Sequence, residues 1–215
     1  MTGYSGIILF VVSFYATITF FLLFSASRRI FHFSLGITGV FLSIIGISNH
    51  IAHFFPVLNP DFIDEWASVF GVSFLLSAAA ALIRDFKPAF SRFPKAFAFF
   101  PLVLIVVYPL ILETVIVKNW AIAIYQGGSL FIGLLIYSYK AQQNGKFAYV
   151  VVGLIFLLIT FILFWLPDTV FYLPVYVWIL LLACGILIIT VGYSLISSLE
   201  EQYVEEKEKT DRWFV

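Results

Sequence analysis

The chain has 215 residues, of which 62% are hydrophobic and 11% are charged, and its formal net charge is zero. Soluble domains carry about 25% charged residues, so this composition excludes an ordinary soluble protein. The apolar residues form long continuous runs, not the ~10-residue alternating segments of a membrane β-barrel. An all-α membrane protein is therefore predicted, because a helix satisfies its own backbone hydrogen bonds in lipid.

Seven of the apolar runs are long enough for membrane-spanning helices, which need about 20 residues each. In chain order the predicted spans are 4–25, 31–55, 65–83, 96–113, 119–138, 147–166 and 172–198. The fourth and fifth runs are separated because a single helix over both would be roughly 60 Å long, twice the hydrocarbon thickness. We therefore expect a polytopic integral membrane protein, with a seven-transmembrane-helix bundle over residues 1–198 and a tail over 199–215.

Basic residues alternate between the gaps that separate these spans. The odd-numbered gaps hold Arg28, Arg29, Arg84, Lys87, Arg92, Lys95, Lys140 and Lys146, whereas the even-numbered gaps hold only Lys118. Because short loops rich in Lys and Arg stay in the cytoplasm, we expect the N-terminus outside and the C-terminus in the cytoplasm. The expected location is the plasma (cytoplasmic) membrane of a prokaryote.

Two histidines at the outer end of the second span suggest a metal site. His50 and His53 are three residues apart and therefore share one helix face. The acidic loop that follows supplies Asp61 and Glu65, and two imidazoles with one or two carboxylates can ligate zinc or another divalent metal. The alternatives are interfacial side chains that reach water or lipid headgroups, and a pH sensor on the outer face.

A glutamine near the middle of the fifth predicted span suggests a ligand-binding cavity within the bundle. Gln126, beside Tyr125 in the fifth span, carries an amide that needs a hydrogen-bond partner in lipid. Ser73 and Ser77 in the third span are among the hydroxyls that can supply it. These four residues are the predicted contacts of a small apolar ligand. The alternative is an interhelical hydrogen bond that fixes the packing.

Several familiar functions are excluded or disfavoured by what the spans lack. No Asp, Glu, Lys or Arg lies in the central part of a predicted span, which argues against a proton pump or an ion-coupled transporter. No predicted span has a lysine for a retinal Schiff base. His50 and His53 share one helix and His32 lies at the other membrane face, so a bis-His haem is not expected. No nucleophile–base pair is evident, which favours a non-enzyme.

The residues after the last span are good helix formers, so the last helix is predicted to continue into the cytoplasm for about three turns. This tail is net negative, and it ends in Trp213-Phe214-Val215. Leu199, Tyr203, Trp213 and Phe214 are the predicted docking residues for a separate protein partner. The alternative is a solvated helix end whose terminal aromatic residues touch the membrane surface.

Three functions fit these features. The first is a sensor or receptor-like module that binds a small apolar ligand, or responds to the membrane, and signals through its C-terminal helix to a separate chain. The second is a non-catalytic subunit of a larger membrane complex. The third is a metal-dependent membrane enzyme or metal handler that uses His50 and His53. The expected partners are the lipid bilayer and a cytoplasmic or membrane protein, and no nucleic acid.

Overall fold

The computed structural model describes residues 2–55, 61–86, 88–110, 115–165 and 175–212. Side chains are described in these ranges except at positions 2, 3, 61, 88, 91, 115, 116, 175, 176 and 198–212. Over the described ranges the chain is almost entirely helical and contains no strand, which confirms the all-α class.

In chain order the α-helices are α1 (Thr2–Ser27), α2 (Ile30–Phe54), α3 (Asp61–Phe86), α4 (Pro88–Ser91), α5 (Val103–Val107), α6 (Val115–Gln143), α7 (Ala148–Trp165) and α8 (Val175–Arg212). Short 3₁₀ segments cover Lys95–Leu102, Tyr108–Leu110 and Gly145–Phe147. In the described part of the chain, six helices are long and apolar enough to cross a membrane, namely all except α4 and α5. The chain is thus a multi-pass integral membrane protein by helix length and composition.

The fourth predicted span differs from a regular α-helix. Residues 95–110, which we call the fourth segment, run through a 3₁₀ helix, the single turn of α5 and a second 3₁₀ turn. Pro101 lies inside the first 3₁₀ helix, and Pro109 lies in the second. Proline has no N–H to donate and its ring clashes with the preceding turn, so an α-helix cannot pass regularly through both positions. The rest of the predicted span, 111–113, lies outside the described residues.

The long helices pack in a ring. Along the chain α1 packs on α2, α2 on α3, α3 on α6, α6 on α7 and α7 on α8, and α8 returns to α1. The fourth segment packs against α3. Its Leu104 and Tyr108 also join an apolar cluster with Val69 of α3 and Tyr125 of α6. The two ends of the fourth segment therefore have fixed positions relative to α3.

Glycines set the close approach of two helix pairs. A Cβ built on Gly46 of α2 would lie 2.6 Å from the backbone nitrogen of Phe10 in α1. A Cβ on Gly153 of α7 would lie 3.0 Å from the backbone oxygen of Gly185 in α8. Small residues let helix backbones meet in this way, which replaces the hydrophobic driving force that is absent between helices in lipid.

Candidate functional site

The four residues predicted to line an interior cavity contact different parts of the bundle. Ser73 and Ser77 are fully buried, and each donates its hydroxyl to the backbone oxygen four residues earlier, at 2.7 and 2.9 Å. Gln126 accepts a hydrogen bond from the indole nitrogen of Trp165 in α7 at 3.4 Å. Tyr125 packs on the apolar cluster between α3, the fourth segment and α6. Gln126 thus faces α7 while Tyr125 faces α3, and ligand contact by this set stays a prediction.

The histidines predicted as metal ligands lie at the end of α2 around one phenylalanine. The rings of His50 and His53 lie 5.1 and 5.3 Å from the ring of Phe54, both edge-on. Among the residues with described side chains, no group of three or more His, Cys, Asp and Glu is arranged to hold a metal ion. The side chain of Asp61 is not among them, so the metal site stays a prediction.

Glu65, the remaining predicted ligand, forms a polar cluster at the same end of the bundle. Its Oε1 accepts hydrogen bonds from the Tyr108 hydroxyl at 2.6 Å and from Lys118 Nζ at 3.3 Å. Lys118 Nζ also lies 4.9 Å from the centre of the Tyr108 ring. The cluster joins α3, the fourth segment and α6, so the carboxylate of Glu65 already balances a cation and fixes three elements.

Two of the predicted docking residues lie in the last part of α8, and the other two follow its last described residue. This helix runs without a break from Val175 to Arg212, so Leu199 and Tyr203 are helical. Their side chains are outside the described set, and Trp213 and Phe214 lie outside the described residues. Docking of a partner on this tail stays a prediction.

A buried aromatic cluster at the opposite end from Glu65 was missed by the sequence analysis. Tyr193 of α8 is at its centre, and its hydroxyl donates a hydrogen bond to the hydroxyl of Tyr137 in α6. Ring centres of Phe20, Phe31, His32 and Tyr137 lie 5.6, 5.6, 5.9 and 5.8 Å from that of Tyr193, respectively. We call these five residues the aromatic cluster, and they belong to α1, α2, α6 and α8. With 26 Phe and 11 Tyr in the chain, nothing in the sequence singled them out.

His32 connects the aromatic cluster to the turn between α1 and α2. Its Nδ1 lies 2.7 Å from the hydroxyl oxygen of Ser27, which also lies 2.7 Å from the backbone oxygen of Leu23. A serine hydroxyl has one hydrogen. When Ser27 donates this hydrogen to the backbone oxygen of Leu23, Nδ1 of His32 must be the donor to the Ser27 oxygen. The pair then ties two helices together and does not activate the serine as a nucleophile. In the sequence, the only signal for this contact was a serine directly before the Arg28-Arg29 pair and a histidine three residues after it.

No protein-family model, curated protein or solved structure was found to match the chain.

Proposed function

We propose that this protein is a seven-helix membrane sensor that signals to a separate partner chain through the cytoplasmic extension of α8. The observation that carries the proposal is the position of Tyr193. It is buried in α8 against residues of α1, α2 and α6, and α8 then continues for several turns to Arg212 as a single helix. A rearrangement among those helices changes the packing around Tyr193. Because a continuous helix transmits a tilt or rotation, the change reaches the tail.

A seven-helix protein requires that the fourth segment also crosses the membrane, and its contacts with α3 support this crossing. Near its beginning, Phe93 accepts a hydrogen bond from Arg84 Nε of α3 at 3.2 Å. Near its end, Tyr108 bonds to Glu65 of α3. Those two α3 residues are nineteen positions apart, or about 28 Å at 1.5 Å per residue, which is close to the hydrocarbon thickness. This separation supports a crossing of the hydrocarbon by the fourth segment.

Seven crossings also agree with the distribution of charge. A crossing by the fourth segment brings Lys140 and Lys146 to the side of Arg28, Arg29 and Arg84, which is the arrangement that the positive-inside rule requires. We infer from this that the aromatic cluster and the tail of α8 are on the cytoplasmic side, and that the Glu65 cluster is on the outer side.

The test is a distance measurement on the tail by pulsed electron paramagnetic resonance. Cys184 is the only cysteine, so Cys184→Ser gives a background in which spin labels can be placed at Gln143, at the end of α6, and at Glu201 in the tail. The protein is reconstituted in nanodiscs of short-chain and long-chain lipids. We expect the Gln143–Glu201 distance to differ between the two bilayers, and Tyr193→Ala to abolish the difference.

The matched control is Leu187→Ala, which also shortens a side chain of α8 but at a position that is exposed on the bundle surface. We expect this variant to keep the response of the unmodified protein. If the distance is the same in both bilayers, the tail is a passive extension and the sensor proposal is wrong. A difference that persists in Tyr193→Ala would equally contradict the proposal, because transmission would not depend on Tyr193.

Two alternatives remain as proposals. A non-catalytic subunit of a larger membrane complex fits the small size and short connections of the chain, and predicts co-purification with other chains in mild detergent. Isolation of a monodisperse single chain from its native membrane would count against it. A metal handler predicts bound metal that a His50→Ala/His53→Ala double variant loses, and elemental analysis of the two purified proteins decides the question.

A further inference from the structure

A basic cavity lies where the turn between α1 and α2 meets the start of the fourth segment. Its volume is ≈ 250 Å³. Its charged lining residues are Arg28, Arg29, Arg84, Lys95 and Asp85, so four cations face one carboxylate. Sites for drug-sized ligands occupy about 300–1,000 Å³, so this volume suits a smaller group such as a single anionic headgroup.

Of the four cations that line this cavity, one is paired with a carboxylate in the described part of the chain. Arg84 Nη1 lies 3.6 Å from Asp85 Oδ1. Over the parts of the chain with described side chains, no carboxylate lies within ion-pair distance of Arg28, Arg29 or Lys95. The α1–α2 turn, the end of α3 and the start of the fourth segment supply these cations, which repel one another when the cavity holds no anion. The guanidinium fork matches the oxygens of phosphate, so a phosphate group is the ligand chemistry that this lining favours.

The backbone around the two adjacent arginines is held in place. Arg28 adopts φ 54°, the only positive φ of a non-glycine residue in the described chain, and its N–H bonds to the backbone oxygen of Phe24 at 2.8 Å. The N–H of Arg29 bonds to the Ser27 hydroxyl oxygen at 3.4 Å. Ile30, the first residue of α2, also lines the cavity, and no side chain caps this helix. Uncapped N–H groups at a helix start favour an anion, so they add to the field of the arginines.

An exposed apolar surface adjoins the cavity and favours a lipid as the source of such a phosphate. Phe90, Phe93 and Phe97 are each about half exposed, and their rings follow one another at 6.3 and 5.4 Å. Arg84, which lines the cavity, donates from Nε to the backbone oxygen of Phe93. A ligand with an anionic head and an apolar chain can contact both surfaces at once. We propose that this cavity binds the phosphate headgroup of an anionic membrane lipid, with its acyl chains along the three phenylalanines.

The binding site is independent of the proposed function, because lipid can occupy the cavity whether or not α8 signals. The test therefore measures binding alone. The full chain is purified in detergent and titrated with dioleoyl phosphatidylglycerol or dioleoyl phosphatidylcholine, which have the same acyl chains, and bound lipid is counted by native mass spectrometry. We expect phosphatidylglycerol to bind at least tenfold more tightly.

Two cavity variants and one control assign this preference to the site. Arg29→Glu and Lys95→Glu each reverse a charge on a different element that lines the cavity, and each is expected to weaken phosphatidylglycerol binding at least tenfold. Lys146→Glu makes the same change in net charge at an exposed residue that does not line the cavity, and it is expected to have an effect below threefold. Because all three residues are exposed, the fold is expected to tolerate each change, and thermal unfolding of each variant checks this.

Three results would overturn the proposal. The first is equal affinity for the two lipids. The second is an equal loss of binding in Lys146→Glu, which would mean general attraction to a basic surface. The third is displacement of the lipid by inorganic phosphate or glycerol phosphate at comparable concentration, which would assign the cavity to a soluble anion. A tenfold loss confined to Arg29→Glu and Lys95→Glu, with no such displacement, would establish the lipid site.

Discussion

Arg28 occupies a backbone conformation that glycine adopts far more readily, and this gives a sharp prediction. Its N–H closes the last turn of α1 onto Phe24, the arrangement in which a helix commonly ends at a glycine with positive φ. A non-glycine residue in this region costs about 1–2 kcal/mol. Glycine avoids this cost in the folded protein, but it also stabilises the unfolded chain by roughly 0.4–1 kcal/mol because it has more conformational freedom there. From the midpoints of these two ranges, Arg28→Gly is therefore expected to be about 0.8 kcal/mol more stable than Arg28→Ala.

The comparison with alanine isolates the backbone effect, because both variants lack the guanidinium group. For a chain of this length 1 kcal/mol corresponds to roughly 2–4 °C in the unfolding temperature. Thermal unfolding in one detergent should thus place Arg28→Gly about 1–4 °C above Arg28→Ala. Both variants should bind phosphatidylglycerol more weakly than the unmodified protein, by a similar factor. An Arg28→Ala protein that unfolds at the same temperature as Arg28→Gly, or above it, would refute the strain argument. Undiminished lipid binding in both would refute the role of the charge.

Three further changes test the packing, the polar cluster and the tail. Gly46→Ala places a methyl group against backbone atoms of α1 and should destabilise the protein by about 1–3 kcal/mol, whereas Gly128→Ala, which meets open space, should be neutral or slightly stabilising in the same unfolding assay. Tyr108→Phe should cost about 1.5–3 kcal/mol, because it removes a hydrogen bond to a charged group. Most of this loss should disappear in a Glu65→Gln background, and additive losses would mean that the two side chains act separately. Removal of residues 199–215 should leave the unfolding temperature within about 2 °C, and a larger fall would mean that the tail packs on the bundle.

The fold class was predictable because the apolar character of each span is a property of many consecutive residues, not of any single one. A run of about 20 apolar residues has few alternatives to a membrane helix, and the six long helices of the structure begin and end within a few residues of the predicted limits, apart from the extension of α8. The unbroken course of α8 also follows from local composition. The irregular fourth segment was less predictable, since two prolines indicate a bend but do not specify how the backbone accommodates it.

The candidate site residues were less predictable than the helices. Lys118 was recognised as a charge in the gap between the fourth and fifth predicted spans, but its bond to Glu65 joins residues far apart in the sequence. Gln126 was expected to bond a hydroxyl, and its partner is the indole of Trp165. His32 was considered only as a haem ligand, and its contacts with Ser27 and Tyr193 did not emerge.

The sequence by itself determined that this chain is helical and membrane-spanning, and it located the basic residues between alternate spans. It could not determine which faces of the helices meet, because a helix that is apolar on all sides has no stripe to mark its inner face. Only the tertiary structure brought Arg28 and Arg29 beside Arg84 and Lys95, and buried Tyr193 among three other helices. Glycine contacts and a few polar bonds between helices select that arrangement, and both depend on residues that are distant in the chain.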